Sequence, residues 1–138
     1  MVRVNLIPPK KLADQHLIAE YAEMLMLVVY IKKHPELKNI PKRYCLGTGH
    51  QKFFKNKLRY LKKRHEQLIK EMKKRGFKPT KKLNLSKMPR SLIKDWKPSQ
   101  KDEEIIKKRL RQKINLKPEF YTYYGKKKTK TFLMSLLK

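Results

Sequence analysis

The sequence predicts an all-α fold: a compact single domain of three main helices joined by long irregular connections. Three observations carry this. Apolar residues recur at helical spacing in two separate segments, and start and stop signals mark a third. Alternation of period two is nowhere sustained, and no internal repeat is visible. Proline and glycine fall between the periodic segments rather than inside them. A length of 138 residues suits one domain, 1–138, with one modest core.

Pro8 and Pro9 bar a helix before about residue 10. Asp14 is a candidate N-cap for a first helix running to Lys33, ahead of Pro35. Leu17, Ile18, Tyr21, Met24, Leu25, Val28 and Ile31 fall in one broad arc, which reads as its core face. His16, Glu20 and Glu23 cluster within about 60° on the opposite side. They read as an exposed edge bearing two carboxylates and an imidazole.

Thr48-Gly49-His50-Gln51 has capping-box spacing and predicts the start of a second helix. Phe54, Leu58, Leu61, Leu68 and Met72 form its apolar stripe. Lys73, Lys74 and Arg75 suit the negative end of a helix dipole, and Gly76 suits a left-handed cap. Residues 78–98 contain Pro79, Pro89 and Pro98 and read as irregular. A third helix is predicted after Ser99, with Asp102 three residues on, ending near Asn115. Phe120-Tyr121-Thr122-Tyr123-Tyr124-Gly125 follows, then a lysine run and an apolar stretch from Phe132 to Leu137, an extra tail over 128–138.

The chain has 38 Lys and Arg against 11 Asp and Glu, a net charge of +27. Such a surface repels itself unless a polyanion neutralises it, so nucleic acid is the expected partner. The longest apolar run, Met24–Ile31, is far short of the ~20 residues a bilayer needs, so no membrane role is expected. No signal-peptide pattern opens the chain. Cys45 is the single cysteine, which excludes an internal disulfide framework and any cysteine-rich zinc module. The expected setting is cytoplasmic and nucleoid-associated, the expected state a monomer, and neither metal nor cofactor is expected.

The candidate chemistry lies at the N-terminus. A small residue, Val2, follows Met1. If Met1 is removed, Val2 carries a free α-amine. An α-amine titrates near 7.7–8.0, against about 10.4 for lysine, so far more of it is unprotonated at neutral pH. Such an amine can attack a sugar C1′ and form a Schiff base. Taken alone, Glu20 and Glu23 are more often a solvated helix edge than a catalytic pair. His65 interrupts an apolar stripe and reads as a core or boundary histidine. His50 suits either a helix cap or a phosphate contact. Tyr121, Tyr123 and Tyr124 suit base stacking or core, and Cys45 and Trp96 read as structural.

Several ordered blocks resemble the pyrimidine-dimer DNA glycosylases of the T-even phage endonuclease V type. They are Arg3, Asn5 and Leu6; Leu12-Ala13-Asp14-Gln15-His16-Leu17; Ala19-Glu20-Tyr21 and Glu23. The likeness resumes at Leu46-Gly47 and Gly49-His50, runs through Phe53-Phe54, Lys57-Leu58, Leu61 and Lys63-Arg64, and continues at Lys74-Arg75-Gly76-Phe77. It returns at Tyr121 and Tyr123-Tyr124-Gly125-Lys126. The resemblance implies an enzyme acting on double-stranded damaged DNA with both glycosylase and AP lyase activity. The α-amine of Val2 would displace the 5′ base of a cyclobutane pyrimidine dimer, and β-elimination would then nick the strand. Glu23 would stabilise the cationic sugar intermediate and assist proton transfer. The resemblance further implies a kinked duplex with the opposite base flipped out.

It also places DNA or lesion contacts at Arg3, Gln15, His16, Glu20, Tyr21, Lys33, Arg64, Arg109, Lys113, Tyr121, Tyr123 and Tyr124. Arg109 and Lys113 lie four apart on one helix face. Ala22 and Met26 stand where the phage enzyme has arginines, Thr122 replaces a lysine and Phe120 a tryptophan. These departures leave a relative acting on another lesion or on abasic sites as an alternative. The rival class is a non-catalytic basic nucleic-acid-binding protein, ribosome-associated or architectural. It accounts for the charge but gives no reason for the Asp14–Glu23 block.

Overall fold

In a computed structural model, which describes residues 3–138, the chain is mostly helical. Three long helices form the frame: α1 (Asp14–Lys33), α3 (Leu58–Lys74) and α4 (Gln100–Leu116). Two short ones join them, α2 (Gly49–Phe53) and α5 (Lys130–Ser135). A two-residue antiparallel ladder, β1 (Thr122–Tyr123) with β2 (Lys126–Lys127), pairs Thr122 with Lys127 and Tyr123 with Lys126. The mostly-α fold agrees with the sequence. One core joins α1, α3, α4 and α5 through buried Leu17, Met24, Leu27, Leu61, Leu68, Leu110 and Leu133.

Helix α1 begins and ends where its flanking signals place it, but its faces differ from the sequence reading. Asp14 is the first helical residue rather than the cap, which is Ala13. Leu27 is fully buried and Ile18 is 40 % exposed. Glu20, expected on an exposed edge, is 1 % exposed. The physical reason is that α1 is covered on two sides. Helix α3 packs on one, and the N-terminal segment lies over the other, with Leu110 and Lys113 of α4 across a cavity from it.

The expected single second helix is broken. Thr48 makes no capping bond, α2 lasts five residues, and a 3-10 turn over Phe54–Asn56 intervenes before α3 restarts after Lys57. Phe53 and Phe54 are both buried. The 3-10 turn resets the helix between these two rings and Leu58, which is buried as well. Gly49 permits the tight entry to α2: a Cβ there would meet Cys45 Sγ at 2.7 Å. At its far end α3 stops as predicted. Gly76 takes φ +91°, Phe77 N–H donates to the Met72 carbonyl at 2.9 Å, and Gly76 N–H donates to that of Lys73.

The connection 78–98 is irregular apart from a 3-10 turn at Arg90–Leu92. Helix α4 opens on the expected capping box: Asp102 N–H donates to Ser99 Oγ and Ser99 N–H to Asp102 Oδ2. The aromatic segment forms a tight hairpin with Tyr124 and Gly125 at φ 54° and 75°. The apolar tail folds as α5 and buries Leu133 and Leu137 against the core. Arg111 of α4 donates to the Leu137 carbonyl.

Candidate active site

The chain leading into α1 is fixed before any catalytic group is considered. Val4 is fully buried. Its N–H donates to His50 Nε2 at 2.8 Å, and its carbonyl accepts from the Tyr44 hydroxyl at 2.9 Å. His50 Nδ1 bonds the Cys45 carbonyl at 2.9 Å. An imidazole that accepts at Nε2 and donates at Nδ1 is neutral, and burial pushes its pKa down. His50 is therefore an internal backbone anchor, neither helix cap nor phosphate contact. At Leu6 the backbone takes φ 61°, and Ile7 N–H closes onto the Asn5 carbonyl at 2.6 Å. This tight three-residue turn is a costly conformation for a branched residue. It bends the chain so that Arg3 and Asn5 line a cavity beside α1.

That cavity, about 170 Å³, is lined by Arg3, Asn5, His16, Ala19, Glu20, Glu23, Leu110 and Lys113. The Glu23 carboxylate accepts the backbone N–H of Arg3 at 3.2 Å. Three elements thus meet: the N-terminal segment, the middle of α1 and the α4 face bearing Lys113. Burial pulls the Lys113 ammonium down, helped by Arg3 and Arg109; Arg3 is lowered by burial and by Arg109. Burial, reinforced by Lys113 and Arg3, holds His16 at about 4, so its ring is neutral at physiological pH. Its Nε2 is buried without a hydrogen-bond partner, and its ring lies 4.7 Å from that of Tyr121. A neighbouring hollow between Gln15, Ile18, Lys113, Phe120 and Tyr121 extends the site along α1.

Not every residue singled out in the sequence faces this cavity. Val2 lies outside the described residues. Arg64, expected on DNA, is 3 % exposed. It grips Glu20 through Nε and Nη2 at 2.8 and 3.0 Å and also donates to the Ile7 carbonyl. Burial opposes its charge, but Glu20 more than offsets that and raises its pKa. Arg64 is thus the internal counter-ion of Glu20, because α3 points it inward across α1.

Tyr21 accepts from the backbone N–H groups of Thr80 and Lys81 and stacks on His65, which bonds the Tyr21 carbonyl. Gln15 is bonded on both sides to Thr122. Tyr123 donates to the Lys10 carbonyl, and Tyr124 to Glu71. Both rings lie beside the Arg75 guanidinium, at 4.6 and 4.9 Å. These side chains hold the frame. Lys33 is exposed at the far end of α1.

Asp14 gathers four bonds. Its carboxylate accepts from Thr122 Oγ1 at 2.7 Å, Gly125 N–H at 2.8 Å, Tyr124 N–H at 3.1 Å and Arg75 Nη1 at 3.0 Å. Burial works against its charge, yet these donors together lower its pKa. The hairpin is thereby tied to the start of α1 and the end of α3. Sequence reasoning missed Asp14, Arg75 and the Tyr44–His50 anchor as positioning groups. It also missed Leu110 as a cavity wall, although its place between Arg109 and Lys113 was a usable signal.

The arrangement offers a carboxylate against the N-terminal backbone, a neutral imidazole and a cationic rim. It can stabilise a developing cation inside while attracting phosphates outside. Among the described residues, no His, Cys, Asp and Glu cluster can hold a metal ion, and no helix is long and apolar enough to cross a membrane. Residues 1–85 match the family model of the pyrimidine dimer DNA glycosylases. That stretch contains the N-terminal segment, α1, the His50 anchor and α3, which is to say most of the cavity wall. The chain therefore belongs to the pyrimidine dimer DNA glycosylase family, whose members are DNA repair glycosylases with DNA as substrate.

Proposed function

We propose that this chain, once Met1 is removed, excises the 5′ base of a cyclobutane pyrimidine dimer and then nicks the strand through a Schiff base on the Val2 α-amine. The observation that carries the reading is the bond from Arg3 N–H to Glu23 at 3.2 Å. The Val2 nitrogen is three covalent bonds from that amide, so this carboxylate belongs to the same small volume as the nucleophile.

The unprotonated amine attacks C1′ of the damaged nucleoside. The C1′–N bond breaks, and the base keeps the bonding electrons and takes up a proton at that nitrogen, while the cyclobutane ring holds it to its 3′ neighbour. The nitrogen loses a proton, its lone pair expels O4′ with the C1′–O4′ electrons, and O4′ takes up that proton, which opens the sugar ring and gives an iminium between Val2 and C1′. Glu23 faces this cation and stabilises it where it forms. Removal of a C2′ proton then expels the 3′ phosphate with the C3′–O electrons, which cleaves the strand. Water releases the amine and leaves an unsaturated aldehyde on the upstream fragment. Glu23 is the proposed proton carrier at C2′. Arg3, Lys33, Arg109 and Lys113 are the proposed phosphate contacts, and His16 and Tyr121 form a wall toward the lesion.

Borohydride trapping on defined duplexes tests the assignment. Protein lacking Met1 should be trapped covalently on both dimer-containing and abasic DNA. Acetylation of the α-amine, or extension of the chain ahead of Val2, should abolish trapping and leave salt-sensitive binding intact. Equal trapping by blocked and free protein would assign the nucleophile to a lysine.

A further inference from the structure

No Lys or Arg occurs from Leu12 to Ile31, although the chain has 38 of them in 138 residues. The outward stripe of α1 is apolar instead. Ile18 is 40 %, Met26 59 % and Val29 52 % exposed, with Ala19 and Ala22 exposed between them. At about 100° per residue these five share an arc of about 100°, and Glu23 borders it. The stripe is continuous with the site, since Ala19 lines the cavity beside Glu23 and Ile18 lines the hollow beside Lys113 and Phe120. Cations flank it: Lys113 lines the hollow beside Ile18, Lys10 and Lys11 precede α1, and Lys32 and Lys33 end it.

We propose that this stripe is an apolar wedge, with Met26 at its crest, that packs against the bases and sugars unstacked beside the lesion; the proposal rests on the glycosylase reading of the neighbouring cavity. A distorted duplex has the matching pattern, a charged backbone on either side of exposed apolar base faces. Apolar side chains enter such gaps between base steps, and methionine is unbranched and adapts to irregular ones. The alanines let the sugar edge approach the helix closely. From Ile18 to Val29 the stripe is about 16 Å long at the helical rise, close to five base-pair steps. A second copy of this chain fits poorly, because it would bring two +27 molecules face to face. A wedge favours sites whose stacking is already weakened, so it acts on discrimination rather than on general affinity.

The test uses the chain with Met1 removed and two duplexes. One carries a tetrahydrofuran abasic-site analogue opposite 2-aminopurine; the other is its undamaged match. Met26→Ala, at an exposed position, should lower the ratio of damaged to undamaged affinity by about five- to tenfold and reduce the 2-aminopurine fluorescence gain. The salt slope should stay the same, because no phosphate contact is lost. Met26→Lys should narrow the ratio by raising undamaged affinity, with a slope steeper by about one.

Equal loss on both duplexes, or no change in ratio and fluorescence, would overturn the wedge. So would a wild-type dimer dissolved by Met26→Lys in sedimentation, or binding to anionic vesicles lost in Met26→Ala with discrimination intact. Borohydride trapping on a natural abasic duplex reads the chemistry separately. Trapping by the wild type with unaltered discrimination in Met26→Ala refutes the wedge alone. Absent trapping with lost discrimination in Met26→Ala refutes the Schiff-base mechanism and supports the wedge.

Discussion

Replacing His50 by phenylalanine tests whether the N-terminal segment must be held for chemistry. The ring volume is roughly kept, and the surrounding Tyr44 and Phe54 rings, at 5.3 Å each, suit another aromatic ring. What is lost is one acceptor and one donor. The Val4 N–H is deeply buried and would have no partner, and the Cys45 carbonyl loses its donor. A buried polar group left unpaired costs about 1–3 kcal/mol. The Cys45 carbonyl is only partly buried, so the two together should cost about 2–4 kcal/mol of stability. The Tyr44 hydroxyl still holds the Val4 carbonyl, so the segment shifts rather than detaches.

A shift of about 1 Å in a reacting group costs on the order of a hundredfold in rate. We therefore expect His50→Phe to lower the single-turnover rate on an abasic duplex by about that factor, well below the melting transition, with DNA affinity nearly unchanged. His50→Gln can accept from Val4 and donate to Cys45 through one amide. It should recover most of the stability and rate. Denaturant unfolding and single-turnover cleavage measure the two effects independently. If His50→Gln is as impaired as His50→Phe, or if His50→Phe falls within about 0.5 kcal/mol of the wild type, the anchoring argument is wrong.

Glu23→Gln keeps the shape and the acceptor for Arg3, so it should fold and bind DNA at least as well as the wild type; cleavage of a dimer duplex should fall about a hundredfold or more. Near wild-type cleavage would remove Glu23 from the mechanism. Glu20→Gln should instead destabilise the fold by about 3–5 kcal/mol in thermal unfolding, because it leaves the buried Arg64 guanidinium uncompensated; an unchanged melting curve would contradict the burial of this pair. Replacing Arg109 and Lys113 together with alanine should flatten the log–log salt dependence of duplex binding by about one to two units. An unchanged slope would put the DNA on another face. His16 is depressed to about 4 from an ordinary value of 6.5, so the unfolded chain takes up its proton first as pH falls. The His16 contribution is complete above about pH 6.5 and is lost progressively down to about pH 4; His16→Asn should flatten stability over that window, measured by denaturant unfolding at stepped pH.

The features legible in the sequence are those whose cause lies within a few residues. Pro9 and Pro35 bracket α1, Ser99 and Asp102 open α4, and Gly76 stops α3. The faces of α1 were not legible, because they depend on what covers them. Glu20 pairs with Arg64, 44 residues on, and nothing in either local pattern announces it. Helical arithmetic placed Glu20 beside Glu23 correctly, but the amphipathic rule assigns such an edge to solvent. A helix enclosed on two sides breaks that rule, and an internal ion pair is the result. The broken second helix has the same origin: Phe53 and Phe54 both turn inward, which sequence periodicity cannot reveal. For the candidate site, Glu23 and Lys113 were visible from resemblance and helical spacing. The Val4–His50–Tyr44 clamp was not, since Tyr44 and His50 lie 40 and 46 residues from Val4.

The bonds to Asp14 bear on how this molecule can be divided. The stretch matching the family model ends at residue 85, yet three of the four donors to the Asp14 carboxylate come from residues 122–125. The same is true of the ring beside His16 and of the cavity wall at Leu110 and Lys113. The matched segment and the packed unit are therefore different objects. A fragment cut at residue 85 would keep Glu23 and its helix but lose Leu110 and Lys113 from the cavity wall, and it would strand the Asp14 carboxylate with a single remaining counter-ion. Shuffling this activity into another protein as a portable module would require the whole length to Leu137, because the latest-made residues clamp the earliest-made helix.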